Sequence, residues 1–177
     1  QVLASGRKLL GDHLFVDKIR YNFFPPRRGD IFVFKTRQVR HSRIRPDTYY
    51  IKRLCALPGE KVQLTPPYLV ADGEPVTEPD VFSMIATNDA AGYLGYQYPK
   101  TEGLEPGVRV ELPDGDAVLH LAEDEYLPLG DNTRSSLDGR YFGGGHRRDI
   151  VGPAAFVYWP FTRRWGPIMS GKPAHRR

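Results

Sequence analysis

The stretch Tyr49-Tyr50-Ile51-Lys52-Arg53-Leu54, followed by Leu57-Pro58-Gly59-Glu60, decides how the chain is read. It is short, rich in aromatic and β-branched residues and bounded by turn formers, so it predicts a β-strand. Alternation along a strand puts Tyr50, Lys52 and Leu54 on one face. A lysine held between a tyrosine and a leucine is a candidate for partial desolvation. Desolvation disfavours the ammonium, lowers its pKa and turns the side chain into a usable general base. The competing reading is that Lys52 extends to solvent, as strand lysines generally do. Taken alone, this segment favours that second reading.

Working outward, strand signals dominate. His13-Leu14-Phe15-Val16 and Ile31-Phe32-Val33-Phe34 have the same character. Tyr68-Leu69-Val70, Asp72-Gly73 and Glu74-Pro75-Val76 predict a hairpin, because Asp-Gly readily supplies the positive φ angles of a tight turn. Val108–Leu112 and Val118–Leu121 predict a second hairpin around Pro113-Asp114-Gly115-Asp116. Glu125–Leu129 and Ala154–Tyr158 complete the set, with Phe156 and Tyr158 expected in the core. No long amphipathic helix and no internal repeat is evident. The 18 glycines and 16 prolines among 177 residues exceed ordinary usage and fit many turns between short strands. Residues from about 63 to 122 are looser in composition, an excursion from a tighter core formed by the flanks.

The bulk properties exclude several classes. Hydrophobic residues at 40% and charged residues at 26% are globular values, against a disordered tail or a coiled coil. No apolar run approaches the ~20 residues of a membrane span, so the chain as given is expected to be soluble and without a signal peptide. The net charge of +4 permits an anionic partner without requiring one. Cys55 is the only cysteine, which excludes an intrachain disulfide and a Cys-x-x-Cys zinc site.

The second informative segment is Gly130-Asp131-Asn132, then Ser136, Asp138 and Arg140, ending at Tyr141-Phe142-Gly143. Such a loop can satisfy itself through side-chain to backbone hydrogen bonds. Asp138 and Arg140 share a direction if the loop is extended, so they can pair.

Together with Arg28-Gly29-Asp30-Ile31-Phe32-Val33-Phe34, these segments resemble the bacterial type I signal peptidases, membrane-anchored Ser/Lys proteases. Three motifs match in order: Arg-Gly-Asp-Ile-x-Val-Phe, Tyr-Ile-Lys-Arg…Pro-Gly-Glu, and Gly-Asp-Asn…Ser-x-Asp-x-Arg-Tyr-x-Gly. Gly11-Asp12 fits the start of the same domain. The resemblance implies an all-β fold of strongly twisted antiparallel sheets, a partly open barrel protease core with an inserted β-hairpin subdomain. Residues 1–62 and 123–170 would form the core, 63–122 the insert and 171–177 a flexible tail.

By position, the resemblance makes Lys52 the general base and Ser136 the hydroxyl that orients it. Asp138 and Arg140 become a supporting pair. Arg53 and Asp131 become a second pair tying the base-bearing strand to the loop, with Asn132 beside them. Val33, Tyr50 and Ile51 become walls of small side-chain pockets. A neutral lysine can activate a serine hydroxyl in place of histidine. The family's nucleophile box, Ser-Gly-Ser-Met-x-Pro-Thr-Leu, is not matched by Ala4-Ser5-Gly6-Arg7-Lys8-Leu9-Leu10. The chain starts beyond the box, or part of the box is lost between Gly6 and Gly11, or the protein is an inactive relative; Ser5 is a weaker candidate nucleophile. Thr133 and Gly139 stand where the family has arginine and serine.

The resemblance further implies action on signal peptides of exported preproteins, small residues before the cut, no cofactor, a monomer, and a catalytic domain on the extracytoplasmic side of a bacterial cytoplasmic membrane. Trp159, Phe161, Arg163, Arg164 and Trp165 are the candidate edge for anionic lipid, against a reading in which the tryptophans pack on the core. His41, His120 and His146 lie far apart in sequence, and no metal is expected. Arg147-Arg148 and Arg163-Arg164 lack any nucleic-acid recognition motif around them. The alternatives are a non-catalytic β binding module on the same scaffold and a self-cleaving repressor-type Ser/Lys peptidase.

Overall fold

Short runs of branched and aromatic residues separated by Gly, Pro and Asp fold into two antiparallel sheets in a computed structural model of the protein, described over residues 11–87, 95–98, 110–111, 118–162 and 164–171. In chain order the strands are β1 (His13–Val16), β2 (Ile31–Lys35), β3 (Tyr49–Ala56), β4 (Lys61–Thr65), β5 (Tyr68–Ala71), β6 (Glu74–Pro75), β7 (Val110–Glu111), β8 (Val118–His120), β9 (Glu125–Leu129), β10 (Gly145–His146), β11 (Ile150–Trp159) and β12 (Gly166–Pro167). The helices are single turns or little more: α1 (Arg20–Phe23), α2 (Val81–Ala86), α3 (Gly139–Phe142) and a 3-10 turn at Arg147–Asp149.

The first sheet runs β1-β11-β2-β3-β9-β10, with β12 added to β11, and does not close into a barrel. The second runs β6-β5-β4-β8-β7 and is drawn entirely from residues 61–120. Its first hairpin has the expected turn, with Asp72 at φ +50° and Gly73 at +88°. In its second hairpin Val110 pairs with Leu119 and Glu111 with Val118. The Pro113–Asp116 turn, Asn88-Asp89 and the 103–107 stretch lie outside the described residues. Sequence reading overlooked β4, although Val62 and Leu64 alternate inward along it; the boundary placed at 62/63 falls within this strand.

β11 is longer than the expected Ala154–Tyr158 because Gly152-Pro153 does not interrupt it. Its first part pairs with β2 and its second with β1, so one strand serves two neighbours along its length. Gly152 makes this possible: a Cβ there would stand 2.0 Å from the Asp17 carbonyl oxygen. Register shifts in the β1 pairing alter which residues turn inward. Ala154 and Val157 are buried, while Phe156 is only half-buried and Tyr158 is exposed. The expectation that Phe156 and Tyr158 form the core is corrected accordingly.

Two apolar clusters hold the molecule. One joins Phe32, Phe34, Leu54, Tyr126 and Phe142 beneath the first sheet, with Tyr50 packed against it. The other joins Val62, Leu64, Leu69, Val81, Phe82 and Ile85 to Cys55, Ala56, Leu127 and Leu129, so the two sheets share a core.

Candidate active site

Lys52 lies in the middle of β3, opposite Phe32 of β2. Pleating turns it to the same side as Tyr50 and Leu54, the side of the first apolar cluster. Its Nζ stands 5.7 Å from the centre of the Tyr50 ring. Lys52 is half-buried, and burial pushes its pKa below the ordinary lysine value. The Arg140 guanidinium works in the same direction, while the Asp138 and Asp131 carboxylates partly oppose the shift. Lys52 is thus neither fully buried nor fully solvated.

β9 runs beside β3, with Arg53 opposite Leu129, and delivers the loop that begins at Gly130. Two buried ion pairs fix that loop. At its start, Arg53 donates from Nε to Asp131 Oδ1 and from Nη2 to Oδ2, both at 2.7 Å. At its end, Arg140 donates from Nε and Nη2 to the two Asp138 oxygens, both at 2.9 Å. Asp138 also caps α3 by accepting from the Arg140 amide, and accepts from the Gly130 amide at 2.9 Å. Asp138 is itself extended, at φ −146° and ψ −167°, and Arg140 lies in the helical turn that follows it. Arg140 reaches further, to the Gln97 carbonyl.

Between these anchors Ser136 folds back onto Gly130. A Cβ at residue 130 would stand 2.1 Å from Ser136 Oγ, so only glycine leaves room. Ser136 Oγ is buried and has no hydrogen-bond partner among the described residues. Lys52 and Ser136 thus face one space without a direct hydrogen bond between them.

That space is an open cleft of about 550 Å³. Its floor is Ile51, Lys52 and Arg53 of β3, and Gly130, Asp131, Asn132, Ser135 and Ser136 of the loop. Gly11, Asp12, Leu14, Ile31 and Arg164 complete it. Val33 and Tyr50, expected as pocket walls, do not line this cleft: Val33 is buried opposite Ile51, and Tyr50 packs edge-on to Phe34. Ile31, Leu14, Ser135 and Arg164 were not anticipated. The pairing of Ile31 with Arg53 across two strands brings the first into place, and no local pattern signals such a neighbour. Among the described residues no group of three His, Cys, Asp or Glu side chains could hold a metal ion. Residues 1–10, including Ser5, lie outside the described residues.

Trp159, Phe161 and Trp165 are 44%, 73% and 50% exposed, and the Phe161 ring contacts both tryptophans. Arg164 Nη2 lies 3.0 Å from Asp12 Oδ1. Arg163 is outside the described residues.

The sequence matches the family model described as signal peptidase, peptidase S26, over residues 7–159. The chain belongs to this family. It is 32% identical over 155 residues to the signal peptidase I of Leptolyngbya laminosa, covering 87% of this chain and 63% of that protein. It is also 32% identical over 154 residues to the signal peptidase I of Bacillus caldolyticus, covering 86% and 72%. The fold is similar to a crystal structure of a signal peptidase I from Enterococcus faecalis V583, with a TM-score of 0.51 and 28% identity over 73% of this chain and 97% of that one. The chain therefore spans about two thirds of the length of these curated signal peptidases. Among its described residues no helix is long and apolar enough to cross a membrane.

Proposed function

We propose that this signal peptidase family member removes signal peptides from exported preproteins, with Lys52 as general base. The observation that carries the reading is the half-buried Lys52 on the cleft floor, its charge disfavoured by burial. A neutral Nζ has a lone pair that can accept the proton of a serine hydroxyl as the oxygen attacks the scissile carbonyl. The resulting ammonium then donates to the leaving amine. No described serine is assigned as the nucleophile, and Ser5 is the weaker candidate within this chain.

In this reading Ser136 orients Lys52 through one water, since its buried hydroxyl has an unused hydrogen-bonding capacity. Arg53–Asp131 and Asp138–Arg140 hold β3 and the loop in register, with Asn132 on the rim. The peptide adds along β3 as an extended strand, and small residues before the cut meet Ile51, with Val33 and Tyr50 behind it. The exposed Trp159, Phe161 and Trp165 rings, with Arg164, dock on anionic lipid at the outer face of a bacterial cytoplasmic membrane.

Cleavage of a preprotein should fall by about 10³-fold or more in Lys52→Met, within the range that general bases contribute. Near-normal turnover in that variant sinks the assignment. Ser136→Ala should lower kcat and leave KM nearly unchanged, because the hydroxyl would position the base and not the peptide.

A further inference from the structure

Arg53 carries more than its pair with Asp131. Its third nitrogen, Nη1, donates to two carbonyls at 2.7 Å each, those of Gly29 and Ser170. Ser170 follows β12 at the end of the described chain and is 117 positions from Arg53. Its hydroxyl donates to Asp30 Oδ1 at 2.7 Å. The other Asp30 oxygen accepts from the Tyr21 hydroxyl and the Arg27 amide, both at 3.0 Å. Arg53, Asp131, Asp30 and Tyr21 are all buried. The segment reaches this place as a strap: Gly166 and Pro167 pair with β11, and the Ile168 amide donates to the Ala155 carbonyl.

A guanidinium this deeply buried needs all its N–H groups satisfied, and a missing acceptor leaves a costly orphan donor. One acceptor set faces the cleft, on Asp131; the other faces away, on Gly29 and Ser170. We propose that the C-terminal strap Gly166–Ser170 is a positioning element of the cleft, in which the Ser170 carbonyl holds Arg53, and through it Asp131, in place beside Lys52. The assignment rests on the reading of Lys52 as the base. Without the strap, Nη1 keeps only the Gly29 carbonyl, its second N–H is left to water, and Arg53 loosens from Asp131. The Asp131 carboxylate is then less neutralised, and water enters under Lys52. Both changes favour the ammonium.

The test is a chain ending after Ile168, compared with the parent and with Ser170→Ala, each labelled with ¹³C-methyl groups on lysine and titrated by NMR. The truncation should raise the Lys52 midpoint by at least ~0.5 unit, about a threefold gain in proton affinity. Ser170→Ala keeps the carbonyl but loses the hydroxyl bond to Asp30 Oδ1 that seats it against Arg53, so it should shift the midpoint less, in the same direction. Cleavage should show a lower kcat with KM little changed. A truncated protein that stays folded and titrates like the parent overturns the proposal. If the truncated chain does not fold, Ser170→Ala decides alone, and a midpoint equal to the parent's overturns it. Should Lys52 of the parent titrate as an ordinary lysine, the general-base reading fails instead. The strap is then judged by amide exchange at Thr133, whose N–H bonds the Asp131 carbonyl. Exchange there should quicken at least about tenfold on truncation, and an unchanged rate counts against the strap.

Discussion

The loop from Gly130 to Arg140 and the second sheet are stabilised in opposite ways. The loop lines the cleft and is pinned by two bidentate ion pairs, each with both partners buried. The second sheet is pinned by Val62, Leu64, Leu69, Val81, Phe82 and Ile85, all apolar and buried. Apolar contact is strong but without direction, which suffices for a sheet whose registry the backbone ladder sets. A loop without a ladder of its own needs directional bonds to hold its shape, and Arg–carboxylate pairs supply them. The difference teaches that charge is buried here where orientation matters, even though such pairs add little net stability over an apolar replacement.

The sharpest way to break this contrast is to remove one ion. Arg53→Met leaves Asp131 buried without its guanidinium and should cost about 3–5 kcal/mol in urea denaturation. Replacing both partners, Arg53→Met with Asp131→Leu, should recover most of that loss while activity stays low. A double variant as unstable as the single one would show that the pair is needed for stability itself. On the other side of the comparison, Leu69→Ala should cost about 2–4 kcal/mol by opening a cavity, with the Lys52 titration unchanged. A moved Lys52 midpoint would mean that the second sheet sets the cleft's electrostatics through the shared core.

Gly130→Ala probes the loop more gently. The new methyl meets Ser136 Oγ, so the serine must shift, at about 1–3 kcal/mol. kcat should drop alongside, as in Ser136→Ala; full activity would show that the position of Ser136 does not matter. The smallest effect expected is a gain. Lys52 keeps a depressed pKa when folded, so the unfolded chain binds more protons between that value and ~10.4. Stability from this residue therefore rises with pH across that window, and below it the buried ammonium is a cost. Lys52→Met should raise stability near neutral pH by about 0.5–1 kcal/mol, and the gain should shrink as pH climbs through the window. A gain that is constant with pH would reflect packing and not charge.

What the sequence determined by itself was the set of strands and the chemistry-bearing segments. Tyr49–Leu54, Ile31–Phe34, Glu125–Leu129 and the Asp72-Gly73 hairpin follow from local composition and turn formers, and folded structure agrees with them closely. Lys52 and the Gly130–Arg140 segment gained weight only together, through the resemblance of three ordered motifs, because each taken alone fits a solvated lysine and a self-satisfied loop. The tertiary structure alone decided how they meet. The inward face of β11 depends on register shifts against β1, so alternation misplaced Phe156 and Tyr158. The desolvation of Lys52 depends on Phe32 from another strand and on the loop after β9. The two carbonyls behind Arg53 come from residues 24 positions before it and 117 after it. Burial and hydrogen-bond partnership are properties of neighbours in space, and a chain read along its length shows only neighbours in order.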